Sequence, residues 1–276
     1  MGFRRAAIVV SWIILASAPV RAANPNYSVD TIINPATQTP GYFAPNGLGT
    51  IYGTDLSFNT SSVPAYNLNA ATLPLSMGGV SVVVGGLIAG LIYVSPTQIN
   101  FVVPYLLTQG TATLFVARNS LSGPVIKIQI YTAAPAFFTW KGNYAIAVHL
   151  DGSLIAVEKP AQPGELVVLF VSGLGRVWPD IDSGRIASAA DSLYPTSNLQ
   201  VFLGGTVLPP QNILYAGLAP GYAGLYQINA RLPNPLPPSA EIRVVAYGQS
   251  SPGPVVLALP VPAQPIPVAA LPVELK

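Results

Sequence analysis

The chain has 276 residues, of which 51% are hydrophobic and only 8% are charged, and it contains no cysteine. The absence of cysteine excludes disulfides, thiolate metal sites and cysteine nucleophiles. The 12 basic and 10 acidic residues form no Lys/Arg cluster, which argues against a nucleic-acid-binding surface and against a polybasic membrane patch.

Residues 1–22 have the pattern of a secretory signal peptide. A start containing Arg4 and Arg5 precedes an apolar run over residues 6–20, and Val20-Arg21-Ala22 fits a small-residue cleavage site. The run is shorter than the roughly 20 residues of a membrane-spanning helix, so cleavage is favoured over a membrane anchor. Removing three arginines leaves 9 basic and 10 acidic residues, a net charge of −1. The sequence therefore predicts an exported protein, secreted or associated with the cell envelope, with no transmembrane segment after cleavage.

The rest of the chain alternates short β-rich runs with turn residues. Val80–Val84 ends at Gly85-Gly86, and the run over residues 145–150 ends at Asp151-Gly152. Such dipeptides favour hairpins because both turn residues must accept positive φ. Leu166–Val171 is apolar on both faces, as in a central strand, and no window shows capped helical periodicity. These patterns predict an all-β sandwich architecture.

The chain also contains a collinear internal repeat. Motifs return 118 to 130 residues later in the same order, which predicts a tandem duplication with units at 23–138 and 139–259. A tail at 260–276 is too rich in proline for a central strand. The matching motifs are Pro45–Leu56 with Pro163–Leu174, Val82–Gly86 with Val201–Gly205, Gln98–Asn100 with Gln227–Asn229, and Gly123–Val125 with Gly253–Val255.

Four segments carry a family resemblance, namely Leu73–Val80, Tyr93–Asn100, Pro163–Gly175 and Gly217–Asn229. They resemble the "Solibacter" uncharacterised C-terminal domain family of acidobacterial exported proteins over roughly residues 24–259. The resemblance implies that each unit is an immunoglobulin-like (Ig/TIG-like) β-sandwich. It implies no known activity and supplies no catalytic residues. The expected fold is therefore all-β, with two tandem Ig-like β-sandwich units that arose by internal duplication.

Candidate catalytic residues are few. His149 is the single histidine, and its place on a predicted strand favours a half-exposed structural residue over a general base. Ser172 lacks the preceding glycine that a nucleophile elbow requires, and its counterpart in the first unit is Thr54. The 10 scattered carboxylates form no obvious pair for glycoside hydrolysis. The sequence therefore predicts no catalytic residue and no cofactor.

A calcium site is an open alternative at one turn. Asp180-Ile181-Asp182 is similar to part of a calcium loop, because alternate carboxylates supply hard oxygen ligands. The downstream bidentate glutamate is missing, since no Glu occurs between Glu165 and Glu241. A solvated turn is the favoured interpretation, and Asp191 could add a ligand only through folding.

Two further sets of polar and aromatic residues need an interpretation. Gln98 with Asn100, and Gln227 with Asn229, face one side of a strand, where we expect their amides to bond loop backbone rather than a ligand. Three tyrosines accompany an insertion in the second unit at residues 216–225 and are candidate contacts for a partner, with packing of the loop on its own sheet as the alternative. They are Tyr215, Tyr222 and Tyr226.

These observations favour an exported, non-catalytic structural or interaction module. A carbohydrate-binding module is the first alternative, which would require exposed coplanar aromatic side chains near the 215–226 loop, and a hydrolase is the second. The partner would be an extracellular protein or a polysaccharide. One sandwich fold hosts many functions, so the fold alone does not decide among them.

Overall fold

A computed structural model describes residues 23–64, 72–181, 185–187, 191–193 and 196–260. The predicted signal peptide and all but the first residue of the predicted tail lie outside these ranges. Within them the chain is all-β, with short 3-10 turns at Val29–Thr31, Thr196–Asn198 and Pro210–Asn212 and no α-helix. The described residues thus include no helix long and apolar enough to cross a membrane.

The described residues of the first half form 11 strands in two antiparallel sheets. One sheet has the order β2-β1-β3-β8-β7-β4, and the other has the order β10-β9-β5-β6 with β11 also paired to β9. The strands are β1 (Ile32–Asn34), β2 (Thr39–Pro40), β3 (Leu48–Tyr52), β4 (Ser61–Ser62), β5 (Val80–Val84), β6 (Leu87–Ile88), β7 (Gly90–Val94), β8 (Gln98–Val102), β9 (Gly110–Arg118), β10 (Leu121–Ser122) and β11 (Ile126–Ile130).

The second half repeats this plan. Its strands are β12 (Ala136–Phe137), β13 (Thr139–Trp140), β14 (Tyr144–Ala145), β15 (Ala147–Val148), β16 (Leu166–Ser172), β17 (Val177–Trp178), β18 (Asp191–Leu193), β19 (Leu199–Leu203), β20 (Thr206–Val207), β21 (Ile213–Leu218), β22 (Tyr226–Arg231), β23 (Ile242–Ala246) and β24 (Gln249–Ser250). One sheet has the order β12-β16-β22-β21-β18-β17, with β15 also on β16, and another has the order β20-β19-β23-β24. The hairpin β13-β14 stands apart.

Each half encloses its own hydrophobic core between two sheets. In the first half, Ile51 and Ile99 of one sheet and Val82 and Val116 of the other belong to a single cluster and are fully buried. The corresponding cluster of the second half joins Leu169, Ile228, Val201 and Val244. Alternate residues of β5 and β19 point inwards because side chains on a strand alternate between faces. The predicted all-β sandwich class is thereby confirmed.

The two halves also share their pairing registers. Ile99 of the first Gln-Ile-Asn motif lies opposite Ile51, and Ile228 of the second lies opposite Leu169, which is the aligned residue in the repeat. A bulge precedes Tyr93 in β7 and Tyr215 in β21 at the same place in the ladder. Duplication is our interpretation of this agreement. By pairing, β12 belongs with the second half although the predicted first unit extended to residue 138.

The two turn dipeptides differ in geometry. Gly85 and Gly86 both have positive φ, at 58° and 80°, as a two-residue hairpin turn requires. At the other dipeptide only Gly152 is left-handed, so our expectation of positive φ at both residues is wrong for Asp151. The Asp151 carboxylate instead accepts a hydrogen bond from the Ser153 amide at 2.9 Å, which closes an Asx turn.

A buried tyrosine makes the first half sensitive to alkaline pH. The Tyr27 hydroxyl donates to the Pro124 carbonyl at 2.7 Å and accepts from the Val116 amide at 2.8 Å. Burial raises the pKa of Tyr27 from 10.0 to about 12. The folded state therefore holds this proton more tightly than the unfolded state. Its contribution to stability is complete below pH 10 and is lost as the pH rises through 12.

We expect the free energy of unfolding to fall between pH 10 and pH 11.5, and to fall less steeply in Tyr27→Phe. Urea unfolding of both proteins at several pH values measures the two slopes. The other tyrosines are common to both proteins, so the difference between slopes reports Tyr27 alone. Equal slopes would show that Tyr27 does not carry the dependence.

Candidate functional site

The two halves meet through backbone and side-chain contacts. The Ala134 amide donates to the Gly173 carbonyl at 2.7 Å, and the Tyr42 hydroxyl donates to the Ser250 carbonyl at 2.7 Å. Ser172 also lies at this junction, where its hydroxyl accepts a hydrogen bond from the Leu48 amide at 3.4 Å. A serine that is 1% exposed and holds a neighbouring strand has a structural role rather than a nucleophilic one.

A cleft of about 490 Å³ opens at this junction, and we call it the junction cleft. Its volume lies in the roughly 300–1,000 Å³ range of small-molecule sites. Both halves contribute to its lining, so it exists only when they are joined. The lining residues are Pro45, Leu107, Thr108, Gln109 and Thr132 from the first half and the connection that follows it, and Arg176, Val177, Trp178, Asp180 and Tyr247 from the second.

Trp178 is the most exposed aromatic residue in the junction cleft. Strand β17 places Val177 inwards at 2% exposure and therefore turns Trp178 outwards, where it is 66% exposed. Our sequence reasoning missed this residue. The available signal was a tryptophan between Val177 and Pro179, with Arg176 and Asp180 on either side.

The charged groups of the junction cleft neutralise each other. The Arg176 guanidinium binds the Asp180 carboxylate in a two-pronged pair, with Nε donating to Oδ1 at 3.2 Å and Nη2 donating to Oδ2. Across the cleft, the Thr132 hydroxyl donates to Gln109 Oε1 at 3.0 Å. Among the described residues, the lining thus offers planar hydrogen-bonding groups whose charges balance.

Tyr247 occupies an unusual backbone position. It has φ 49° in the turn between β23 and β24, a left-handed conformation that is costly for an aromatic residue. The equivalent turn of the first half has Asn119 with φ 52°, and asparagine adopts this conformation readily. Burial raises the pKa of the Tyr247 hydroxyl. The Tyr247 ring packs against the core of the second half and also lines the junction cleft.

The three predicted tyrosines do not form one exposed surface. Tyr226 is fully buried, and its hydroxyl donates to the carbonyls of Gly175 and Pro45, so it cannot contact a partner. Tyr215 is partly buried, and its hydroxyl donates to the Leu218 carbonyl at 2.6 Å. Because its register matches Tyr93, Tyr215 belongs to the shared framework and not to the insertion. Tyr222 alone is largely exposed, at 55%.

The insertion itself packs across the junction. The Ala219 amide donates to the Leu225 carbonyl at 2.9 Å and closes the loop. Gly224 approaches Leu48 of the first half so closely that an added Cβ would lie 2.5 Å from Leu48 Cδ2. The loop therefore contacts the first half of the chain as well as closing on itself.

His149 differs from its expected half-exposed state. It is 7% exposed, with Nδ1 at 2.5 Å from Glu165 Oε1 and Nε2 at 3.2 Å from the Lys159 carbonyl. It is buried because the segment after the Asp151 turn folds back and places Lys159 and Glu165 over the ring. Both ring nitrogens are thus engaged by groups of the same half.

The calcium alternative gains no support from the residues that can be placed. Both oxygens of Asp180 accept from Arg176, and Asp182 lies outside the described residues. The side chain of Asp191 is likewise not described. Over the part of the chain with assigned structure, no three His, Asp or Glu side chains form a metal-binding group.

In each Gln-Ile-Asn motif, the glutamine side chain donates a hydrogen bond to the asparagine side chain. Gln98 Nε2 donates to Asn100 Oδ1 at 2.9 Å, and Gln227 Nε2 donates to Asn229 Oδ1 at 3.3 Å. Our expectation that these amides bond loop backbone is wrong for these contacts, because the two side chains share a strand face and meet there. The same contact in both halves agrees with a framework role.

No protein-family model and no curated protein matches the chain. Two solved structures of the plexin A4 full extracellular region overlay 91% and 92% of the chain at 14% and 13% identity, with TM-scores of 0.30. The chain spans only 20% and 17% of those proteins. A Bacteroides ovatus mixed-linkage glucan utilization locus protein, SGBP-B, solved with a mixed-linkage heptasaccharide, overlays 83% at 11% identity and a TM-score of 0.30, with 44% of its own chain covered.

Proposed function

We propose that the protein is an exported, non-catalytic binding module whose recognition surface is the junction cleft. The observation that carries the proposal is the exposed ring of Trp178 in a concave site built from both halves. Large exposed aromatic side chains beside a few fixed polar groups are characteristic of recognition sites.

The proposal also states that the junction cleft is a binding site and not a catalytic one. The ionisable side chains that line the junction cleft are Arg176, Asp180 and Tyr247, and the first two are bound to each other. Hydrolysis by paired carboxylates needs two acids across the scissile bond, whereas the lining residues that the structure describes supply one. His149 is held in a separate contact with Glu165 and is not among the lining residues.

Export rests on the sequence of residues 1–22, with its basic start, apolar run and Ala22 cleavage position. Membership of the "Solibacter" C-terminal domain family, on the residues quoted above, would place the protein among exported proteins. Tandem duplication explains how two similar sandwiches came to form one shared cleft. We propose export, family membership and tandem duplication together.

Retention on cell-envelope material of the producing organism tests the proposal. We expect the secreted protein to be retained, and Trp178→Ala to lose at least tenfold in affinity with an unchanged melting temperature, because the ring is mostly exposed. The matched control is Tyr52→Ala, an aromatic residue 40% exposed on β3 and outside the cleft lining. Equal retention of wild type and Trp178→Ala, or no retention of either, would overturn the proposal.

The insertion supplies a second candidate surface. Tyr222 is exposed on a loop that only the second half carries, and exposed loops on rigid sandwiches commonly bind partners. If this loop is the contact, Tyr222→Ala loses retention with little change in melting temperature, whereas Trp178→Ala keeps it. That result would replace the junction cleft by the loop.

A further inference from the structure

We propose that the junction cleft binds a neutral oligosaccharide of an extracellular or cell-envelope polysaccharide. The inference rests on the proposed function, since it assigns the ligand class of the same site. Trp178 and Tyr247 provide the aromatic surfaces, and the Arg176–Asp180 and Gln109–Thr132 pairs provide the hydrogen bonds.

The aromatic residues fit the apolar faces of sugar rings. A pyranose ring presents axial C–H groups on its flat faces, and these pack against the electron-rich face of an aromatic ring. Trp178 is 66% exposed, and Tyr247 lines the same cleft from a different turn. Two aromatic side chains from separate elements suit a ligand with repeated flat units better than a single small molecule.

The polar groups fit hydroxyls rather than ionic groups. The Arg176 donors that face Asp180 are already used, so a phosphate or carboxylate ligand would have to displace that carboxylate. A bound carboxylate oxygen still has acceptor capacity, and the Gln109 amide both donates and accepts. Hydroxyl groups, which also donate and accept, can join both pairs without leaving a charge unpaired.

The charge balance of the described lining residues favours one ligand class. Arg176 and Asp180 cancel within the lining, and the chain after Ala22 has a net charge of −1. Neither an acidic nor a basic polymer would gain much electrostatic attraction from this surface. A neutral polysaccharide is the extracellular polymer whose recognition requires no net charge.

The backbone of Tyr247 points to the same use. Asn119 shows that the equivalent turn forms with a residue suited to left-handed φ. The turn itself does not favour a tyrosine, whose ring instead packs against the core of the second half and lines the cleft. Tyr247→Asn therefore separates the two roles. Ligand affinity should fall while the turn becomes less strained.

Fluorescence of Trp178 provides the test. In Trp140→Phe, Trp178 is the only tryptophan after residue 22, and the Trp140 indole Nε1 has no hydrogen-bond partner within the described residues, so the change is mild. The protein is titrated with neutral β-glucan, mannan, xylan and chitin oligosaccharides and with an acidic galacturonate oligosaccharide. We expect a neutral series to shift the emission, with affinity that rises with chain length.

Two variants complete the design. Trp178→Ala should abolish retention on the polysaccharide, and Tyr247→Asn should weaken binding at least tenfold in a protein that is still folded at the assay temperature, because the loss of core packing by the ring is partly offset by relief of the left-handed strain. Unchanged affinity in Tyr247→Asn would overturn its role as a contact, and preference for the galacturonate would overturn the neutral class.

Treating the envelope material with periodate or with protease shows which of the two proposals has failed. Periodate cleaves vicinal diols of sugars, whereas protease removes protein. Trp178-dependent retention that survives periodate but not protease would overturn the oligosaccharide inference and leave a protein-binding module standing. Retention that is independent of Trp178 would overturn both.

Discussion

Gly173→Ala is expected to lower the free energy of unfolding by about 3 kcal/mol. Gly173 has φ 71°, and a Cβ at this position would lie 2.1 Å from the carbonyl oxygen of Ala134. The clash is with backbone, and that backbone belongs to the connection between the halves. Relief requires the Ala134–Gly173 hydrogen bond of 2.7 Å to lengthen or break.

Gly152→Ala is the matched control for this change. Gly152 also has a left-handed φ, of 80°, but an added Cβ there meets nothing within 4 Å. It should cost only the backbone strain of about 1 kcal/mol. Urea unfolding of both variants measures the difference, which isolates close packing at the junction. Equal losses in the two variants would mean that the halves separate easily at Gly173.

The same junction predicts a functional consequence. Gly173 directly precedes the segment that carries Arg176 and Trp178 into the cleft. Moving this segment should therefore weaken retention in Gly173→Ala, while Gly152→Ala, far from the lining residues, leaves it unchanged. The cleft depends on the junction because each half supplies only part of its wall.

Local patterns in the sequence were sufficient for the fold. The β-rich run Val80–Val84 that ends at Gly85-Gly86 identified β5, and the apolar run Leu166–Val171 became the central strand β16. The offset between the two Gln-Ile-Asn motifs predicted which strands would occupy equivalent places. These features depend on neighbours along the chain or on comparison of the chain with itself, so they are visible without coordinates.

The site required long-range contacts that the sequence does not display. Gln109 and Trp178 are 69 positions apart and come together only when the halves dock. His149 became buried because Glu165 reached its ring, and Tyr226 became a core residue through carbonyls 51 and 181 positions away. The insertion attracted attention as the unit-specific feature, yet it also packs against Leu48. Charge balance in the junction cleft likewise depends on geometry that only folding creates.

Arg118 is the most unusual buried residue of the first half. It is 1% exposed, its Nη1 and Nη2 donate to the carbonyls of Asp55 and Ala23, and its guanidinium carbon lies 4.1 Å from the ring centroid of Phe58. The ion pairs among the described residues do not include it. Carbonyl dipoles and an aromatic face thus offset the cost of removing the cation from water.

Arg118→Ala is expected to reduce the free energy of unfolding by about 3 kcal/mol, because it leaves two carbonyls without their donor and creates a cavity beside Phe58. Arg118→Met, which keeps most of the volume and removes the buried charge, should lose less. The equivalent strand position in the second half is Ala246, so β23 forms its ladder without such a cation. Arg243→Ala is the control, since Arg243 lies 4.4 Å from the Phe202 ring but is only half-buried.

The hydrogen bond between Arg118 and Ala23 allows a second measurement, by limited proteolysis. Ala23 is the residue that follows the predicted cleavage position, and Arg118 holds its carbonyl against β9. Limited proteolysis should therefore trim the N-terminus of Arg118→Ala and Arg118→Met faster than that of wild type or Arg243→Ala. Arg118→Ala could instead lower the free energy of unfolding by less than about 1 kcal/mol, which is close to the effect of an ordinary surface substitution. That result would contradict a central role for the buried cation. Equal losses in Arg118→Ala and Arg118→Met would assign the stabilisation to the carbonyl hydrogen bonds and not to side-chain volume, because both variants lack the donors and only one lacks the volume.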